Sequence, residues 1–300
     1  ASFAGQQETY LNVRGPAALM DAVRNCFASL FTDRAISYRH NFGFDHFGIG
    51  LSLCIQKMVR SDLGSSGVAF SLDTESGFKD VVVINGSYGL GELVVQGSVS
   101  PDEFIVFKPT LRGKFTPIIE KKLGVKDQVM VYGDDPDERI KIIPADKAAQ
   151  NKFCLDDTKI LQLAKWVVII EEYYTGLKAH WSTMDVEWAV DGLSNQLFIV
   201  QARPETIHSR KDHQKLTEYV MRPHQVSPLL KGIAVGDKIG SGRVKTMYSL
   251  DKRLSEGNEF MAGDVLVTDM TDPDWEPIMK KAAAIITNKG GRTCHAAIVA

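Results

Sequence analysis

The chain has 300 residues, of which 44% are hydrophobic and 24% charged, and a formal net charge of −2. That balance is ordinary for a globular protein and leaves no basic footprint for nucleic acid or an anionic membrane. No apolar run approaches the ~20 residues of a bilayer span, so a cytoplasmic protein that recognises partners at discrete sites is expected.

Four cysteines, Cys26, Cys54, Cys154 and Cys294, form no C-x-x-C pair, which argues against a zinc site or a disulfide framework. The length suits about two domains. Ala1 is not an initiator methionine and Ala300 closes an apolar run, so both ends read as cut.

In chain order, Leu19, Val23, Phe27, Leu30, Phe31 and Ile36 repeat at helical spacing behind Pro16, predicting one or two helices over 16–40. Residues 51–59, 68–72 and 81–84 are short, β-branched and separated by Gly and Ser, predicting successive strands. Residues 101–151 are mixed and charged, with a turn at Asp134-Asp135-Pro136-Asp137, and suggest a flap or peripheral sheet. Ile160, Leu163, Ala164, Val167 and Ile170 predict a helix over 156–173.

Residues 184–190 alternate polar and apolar, 191–195 make a turn, and 197–203 return, which predicts an antiparallel hairpin. With pairing centred near Ser194, Asp185, Glu187, Gln201 and Arg203 project from one face. Two carboxylates, an amide oxygen and a guanidinium provide hard oxygens for Mg²⁺ and a planar cation for phosphate. A hairpin with one solvated face would show the same alternation.

After the strand at 81–84 comes Asn85-Gly86-Ser87-Tyr88-Gly89-Leu90-Gly91-Glu92. Such a turn admits positive φ and lets backbone N–H groups approach phosphates, although it lacks the P-loop ending and equally suits a plain turn. Residues 205–228 turn polar and basic and end in Pro223 and Pro228, marking a linker between domains at 1–204 and 229–300.

In the second domain, Asp272 and Pro273 predict a helix start and a helix of about ten residues. The strand at 284–287 then leads through Gly290-Gly291-Arg292 to a second helix start at Thr293-Cys294-His295. In a first helical turn with Thr293 as N-cap, His295 would be kept neutral and nucleophilic, and a phosphoryl group on it would meet unpaired N–H groups. A histidine satisfied by hydrogen bonds and doing no chemistry is the competing interpretation.

The string Gly290-Gly291-Arg292-Thr293-Cys294-His295 resembles the phosphohistidine signature of the phosphoenolpyruvate-utilising enzymes, and its Thr-Cys-His form resembles the phosphoenolpyruvate synthase branch. Upstream, Ser2-Phe3-Ala4-Gly5-Gln6-Gln7-Glu8-Thr9-Tyr10-Leu11-Asn12-Val13, Gln56-Lys57-Met58-Val59, Ser66-Gly67-Val68-Ala69-Phe70, Gly89-Leu90-Gly91-Glu92, Asp185-Val186-Glu187-Trp188 and Gln201-Ala202-Arg203-Pro204-Glu205 resemble that family's ATP-grasp domain in order.

The resemblance implies an α+β fold: an incomplete ATP-grasp domain, a linker, and a truncated swivelling β/β/α phosphohistidine domain. It implies Mg²⁺ held by Glu187 and Gln201, phosphates lined by Asp185 and Arg203, adenine near Gln56 and Met58, and Glu92 touching the nucleotide. His295 would carry the β-phosphoryl of ATP to pyruvate in a gluconeogenic reaction that yields phosphoenolpyruvate, AMP and phosphate.

Thr293 would be the target of a regulatory kinase and phosphorylase, and a homodimer is a further expectation. The family's Val-Arg-Ser-Ser segment and its pyruvate-binding barrel are not among these 300 residues. His180-Trp181-Ser182-Thr183-Met184 stands where the family leads one to expect an Arg-Pro-like pair. Other readings are a related dikinase, an antibiotic phosphotransferase of the same family, or a non-catalytic nucleotide-binding or phosphocarrier module.

Overall fold

The structure is a computed structural model that describes residues 7–113, 115–133, 135, 138–204, 229, 230, 232, 234, 235, 238–250 and 260–289. It opens with α1 (Pro16–Ala28) and α2 (Asp33–Phe42), joined by a 3-10 turn at Ser29–Phe31. Pro16 occupies the first helical turn, where its missing N–H costs nothing.

The principal sheet has six strands: β1 (Ser65–Phe70), β2 (Val81–Tyr88), β3 (Asp102–Phe107), β4 (Ile118–Lys122), β7 (Met184–Val190) and β8 (Leu197–Pro204). Their spatial order is β4-β3-β2-β1-β7-β8, with every neighbouring pair antiparallel. The long helix α5 (Asp157–Lys178) covers one face. Its Ile160, Leu163, Ala164 and Val167 pack with Ala69, Val82, Ile84, Phe104, Val106, Val186 and Trp188. Each large side chain so buried contributes about 1.5–3 kcal/mol.

Asp156 caps α5 by accepting from the Lys159 amide at 2.8 Å, as its place ahead of the apolar repeat suggests. The opposite face carries a second cluster, Val68, Phe70, Leu90, Leu93, Val94, Val99 and Met130. Leu93 and Val94 come from the short α3 (Glu92–Val95), and Met130 from a ribbon of β5 (Gln128–Tyr132) and β6 (Ile140–Pro144). The short α4 (Lys147–Gln150) follows the ribbon.

Three expectations for residues 1–204 need correction. Residues 51–60 form no strand. Both sides of β1 are occupied, by β2 and β7, so no ladder beside it is open to this segment; Met58 packs instead against the cluster containing Val68.

The strand over 81–84 does not end at the glycine motif but runs to Tyr88, pairing residues 85–88 with 65–68. Gly86 allows this because a Cβ there would lie 2.6 Å from the Trp188 ring. The turn proper is Gly89–Gly91, with Gly89 at φ +87° and the Leu90 amide donating to Met130 O at 2.9 Å; residues 93–95 are helical. Finally, β3 and β4 belong to the principal sheet, and only β5–β6 is peripheral.

Farther along, β9 (Val244–Thr246), β10 (Val265–Thr268) and β11 (Ala284–Thr287) make a parallel sheet of order β11-β10-β9. Phe260, Leu266, Trp275 and Met279 form its core. Asp272 Oδ1 accepts from the Asp274 amide at 2.9 Å, consistent with a helix start there.

The helix itself is shorter than the expected ten residues. A 3-10 turn (Pro273–Trp275) gives way to a single turn, α6 (Glu276–Met279), because Pro277 has no N–H to extend the first turn and instead suits the start of the second. The linker at 205–228, together with Thr293 and His295, lies outside the described residues.

Candidate nucleotide site

The β7–β8 hairpin pairs Asp185 with Arg203 and Glu187 with Gln201, the register read from the alternation. A bulge between Glu187 and Trp188 then shifts the pairing, so that Trp188 faces Ile199. Val186, Trp188 and Val190 point into the core beneath α5, which forces their alternate neighbours to the other face. On that face Phe70 stands opposite Asp185 and Val68 opposite Glu187.

Arg203 donates to Asp185 Oδ2 from Nε at 2.8 Å and from Nη2 at 2.6 Å, holding the guanidinium plane in place. The Arg203 side chain remains 40% exposed, against 13% for Asp185. Gln201 Nε2 donates to Glu187 Oε1 at 3.3 Å. Burial raises the Glu187 carboxyl above the ordinary glutamate range; the neighbouring Asp185 adds to that shift and Arg203 opposes it.

The other segments converge on this face through the apolar cluster. Val68 and Phe70, the cross-strand partners of the two carboxylates, pack with Leu90 of the glycine turn, while half-buried Met58 lies against the same cluster. Gln56 is exposed two residues before Met58. Glu92 opens α3 and accepts from Gln96 Nε2 at 2.8 Å. Burial, and then the charge of Glu8, raises the Glu92 carboxyl. An apolar floor beside a few convergent polar groups is the usual composition of a small-molecule site.

Two neighbours were missed from sequence. Asn85 and Ser87 stand opposite Val68 and Ser66, and Asn85 Oδ1 and Ser87 Oγ are buried without a hydrogen-bond partner among the described residues. The signal was an alternation of polar residues continuing the apolar run of β2, hidden by reading the segment as a loop.

Buried oxygens left unsatisfied on the same face suit a polar ligand. Among the described residues no group of three or more His, Cys, Asp or Glu side chains is arranged to hold a metal alone. The Glu187 carboxylate and the adjoining Gln201 amide are hard oxygen donors of the kind Mg²⁺ takes when its remaining ligands are phosphates and water.

A cavity of about 470 Å³ lined by Arg14, Arg60, Asp62, Tyr132 and Lys141 lies elsewhere. Its Arg60 amide donates to Asp191 Oδ2 at 3.2 Å, placing it at the far end of β7 from Asp185. No helix among the described residues is long and apolar enough to cross a membrane.

With this geometry in view, the model of the pyruvate phosphate dikinase AMP/ATP-binding domain matches residues 1–224. The chain belongs to that family. The mobile domain of the PEP-utilising enzymes matches residues 260–300, the stretch that contains Thr293 and His295.

Similar proteins include the phosphoenolpyruvate synthase of Aquifex aeolicus, 60% identical over 304 residues. Those of Synechocystis and Escherichia coli are 53% and 52% identical. Each alignment covers 100% of this chain but only 35% or 36% of the relative. The chain thus spans about a third of the length of the curated relatives it matches. Family membership and the mixed α/β architecture agree with the expectation drawn from the motifs.

Proposed function

We propose that this chain is the nucleotide-binding and phosphoryl-relay portion of an enzyme that makes phosphoenolpyruvate from pyruvate, ATP and water, releasing AMP and phosphate. The observation that carries the proposal is the single hairpin face bearing Asp185, Glu187, Gln201 and Arg203 beside an apolar floor. The synthases that match the chain over its full length support the identity of the product.

In this reading residues 1–204 are an ATP-grasp domain, 205–228 a linker, and 229–300 part of a swivelling phosphohistidine domain. Arg203, oriented by Asp185, neutralises a phosphate oxygen, and Met58 and Gln56 border the adenine. Glu187 and Gln201 hold Mg²⁺, which when bound offsets phosphate charge during transfer. Glu92 contacts the nucleotide from the glycine turn. His295 is the nucleophile: a ring nitrogen bonds to the β-phosphorus of ATP as the bond from that phosphorus to the α-phosphate oxygen breaks and AMP leaves. Water then takes off the terminal phosphoryl group as phosphate, and the remaining phosphoryl group passes from nitrogen to the enolate oxygen that pyruvate gains when its methyl loses a proton. Pyruvate binds to a part of the protein beyond these residues. A phosphate on Thr293, added by a regulatory kinase, would repel the incoming donor.

The test uses full-length protein and ATP labelled at the β-phosphate. Acid-labile label should appear on the wild type and vanish in His295→Ala; a variant that still takes label overturns the relay assignment. Because the matching family model is that of a dikinase, the products also discriminate. Phosphate as the inorganic product supports the synthase, whereas pyrophosphate formed only when phosphate is supplied supports the dikinase.

A further inference from the structure

We propose that Lys108, Glu171 and Trp181 form a positioning clamp behind the sheet that sets the start of β7, and with it the Asp185–Arg203 pair, for nucleotide phosphates; this rests on reading that face as the nucleotide site. Lys108 follows β3, Glu171 lies on α5, and Trp181 lies in the link from α5 to β7. Lys108 Nζ donates to Glu171 Oε2 at 2.7 Å and to Oε1 at 2.9 Å, and Trp181 Nε1 donates to Oε1 at 3.1 Å. The Lys108 and Glu171 side chains are only 12% and 9% exposed. They form the wall of a cavity of about 400 Å³ with Lys79, Asp80 and Trp181.

The third donation from Lys108 Nζ, to Ser71 O at 2.5 Å, connects this cluster to the site. Ser71 is the residue after β1. Its amide donates to Met184 O at 3.0 Å, and its hydroxyl accepts from the Met184 amide at 2.8 Å. These two bonds extend the β1–β7 ladder just beyond the Phe70–Asp185 pair.

The link is held from its other side as well, the Ser182 amide donating to Thr175 Oγ1 on α5 at 3.1 Å. Asp185 is therefore one residue from a backbone anchored to α5 through Glu171 and to β1 through Ser71. Burial pushes the Lys108 ammonium below its ordinary range, and the Glu171 carboxylate opposes that shift. Breaking the clamp at Trp181 or Glu171 frees the start of β7 to shift, and the hold of Arg203 Nε and Nη2 on the one oxygen Asp185 Oδ2 tolerates little shift.

The experiment measures Mg·ATP affinity by calorimetry on full-length Trp181→Phe and Glu171→Gln, well below their unfolding temperatures, with KM for ATP and kcat alongside. Affinity should weaken about 3- to 10-fold with kcat within about twofold of wild type. Arg112→Ala, which breaks the exposed pair between Arg112, in the turn after β3, and Glu172 of α5, should leave affinity unchanged.

In an Arg203→Ala background, Trp181→Phe should cost less than about twofold, because the group it positions is gone. Wild-type affinity in both clamp variants, or an equal loss in the Arg203→Ala background, overturns the proposal and leaves the clamp a purely structural contact. A wild-type protein that binds no Mg·ATP overturns the nucleotide-site reading itself.

Discussion

Two charge pairs of similar chemistry, one joining Asp102 of β3 to Lys126 in the link between β4 and β5 and one across the β7–β8 hairpin, differ in what surrounds them. Asp102 and Lys126 are both 0% exposed. Every polar atom of the pair is occupied from within: Asp102 accepts from the Gly124 amide at 2.9 Å and the Cys154 amide at 2.7 Å, and Lys126 Nζ also donates to Gly124 O and Gln150 O. Asp185 and Arg203 are also in direct contact, yet the guanidinium remains accessible and has Glu187 and Gln201 beside it.

A pair satisfied on all sides has no capacity left for a ligand and can serve only the fold. One that keeps an open side is already oriented for a ligand at little further entropic cost. What separates the two pairs is that one is wholly enclosed while the other keeps an accessible guanidinium.

The sharpest way to break the comparison is Lys126→Met, which strands the Asp102 carboxylate in the core. It should cost about 3–5 kcal/mol of stability by denaturant titration, while protein that remains folded keeps its nucleotide affinity. Arg203→Ala should do the reverse. Its unfolding free energy should fall by no more than about 1 kcal/mol, as for a partly exposed pair, while Mg·ATP affinity falls about 100-fold. A large stability loss would mean that Arg203 serves the fold.

The smallest effect is in pH. Because burial raises the folded pKa of Glu187 above its unfolded value, the native state binds more protons between the two, and stability falls as pH rises through that window. Metal binding needs the carboxylate, so Mg·ATP affinity should rise over the same window, with proton release detectable by calorimetry in buffers of different ionisation enthalpy. Glu187→Gln should remove the release; its persistence would assign the proton to another group.

Much of the candidate site was legible because the β7–β8 hairpin is local: its turn at 191–195 sets the register, and a period of two then determines which residues share a face. The capped α5 was readable for the same reason, its apolar positions recurring at helical spacing around Asp156 and the residues after it. The glycine segment was misread because glycines announce a turn wherever they cluster. Gly67 and Gly86 are instead small residues in paired strands, where a Cβ at 67 would lie 2.0 Å from Asn85 O and one at 86 would meet Trp188.

Residues 51–59 have strand composition but no strand, since pairing needs a free neighbour as well as propensity. Asn85 and Ser87 could not be placed on the face of the candidate site until β2 was known to continue past Ile84.

The sequence by itself determined the family, the pairing of Asp185 with Arg203 and Glu187 with Gln201, and which residue types share that face, because these depend on contiguous motifs and short-range periodicity. Only the tertiary structure decided that Met58 and the glycine turn share a floor with those carboxylates, and that Lys108, 63 residues from Glu171, meets it behind the sheet. Contacts between elements depend on which faces are left to bury once the strands have paired, and no local pattern in the chain records that choice.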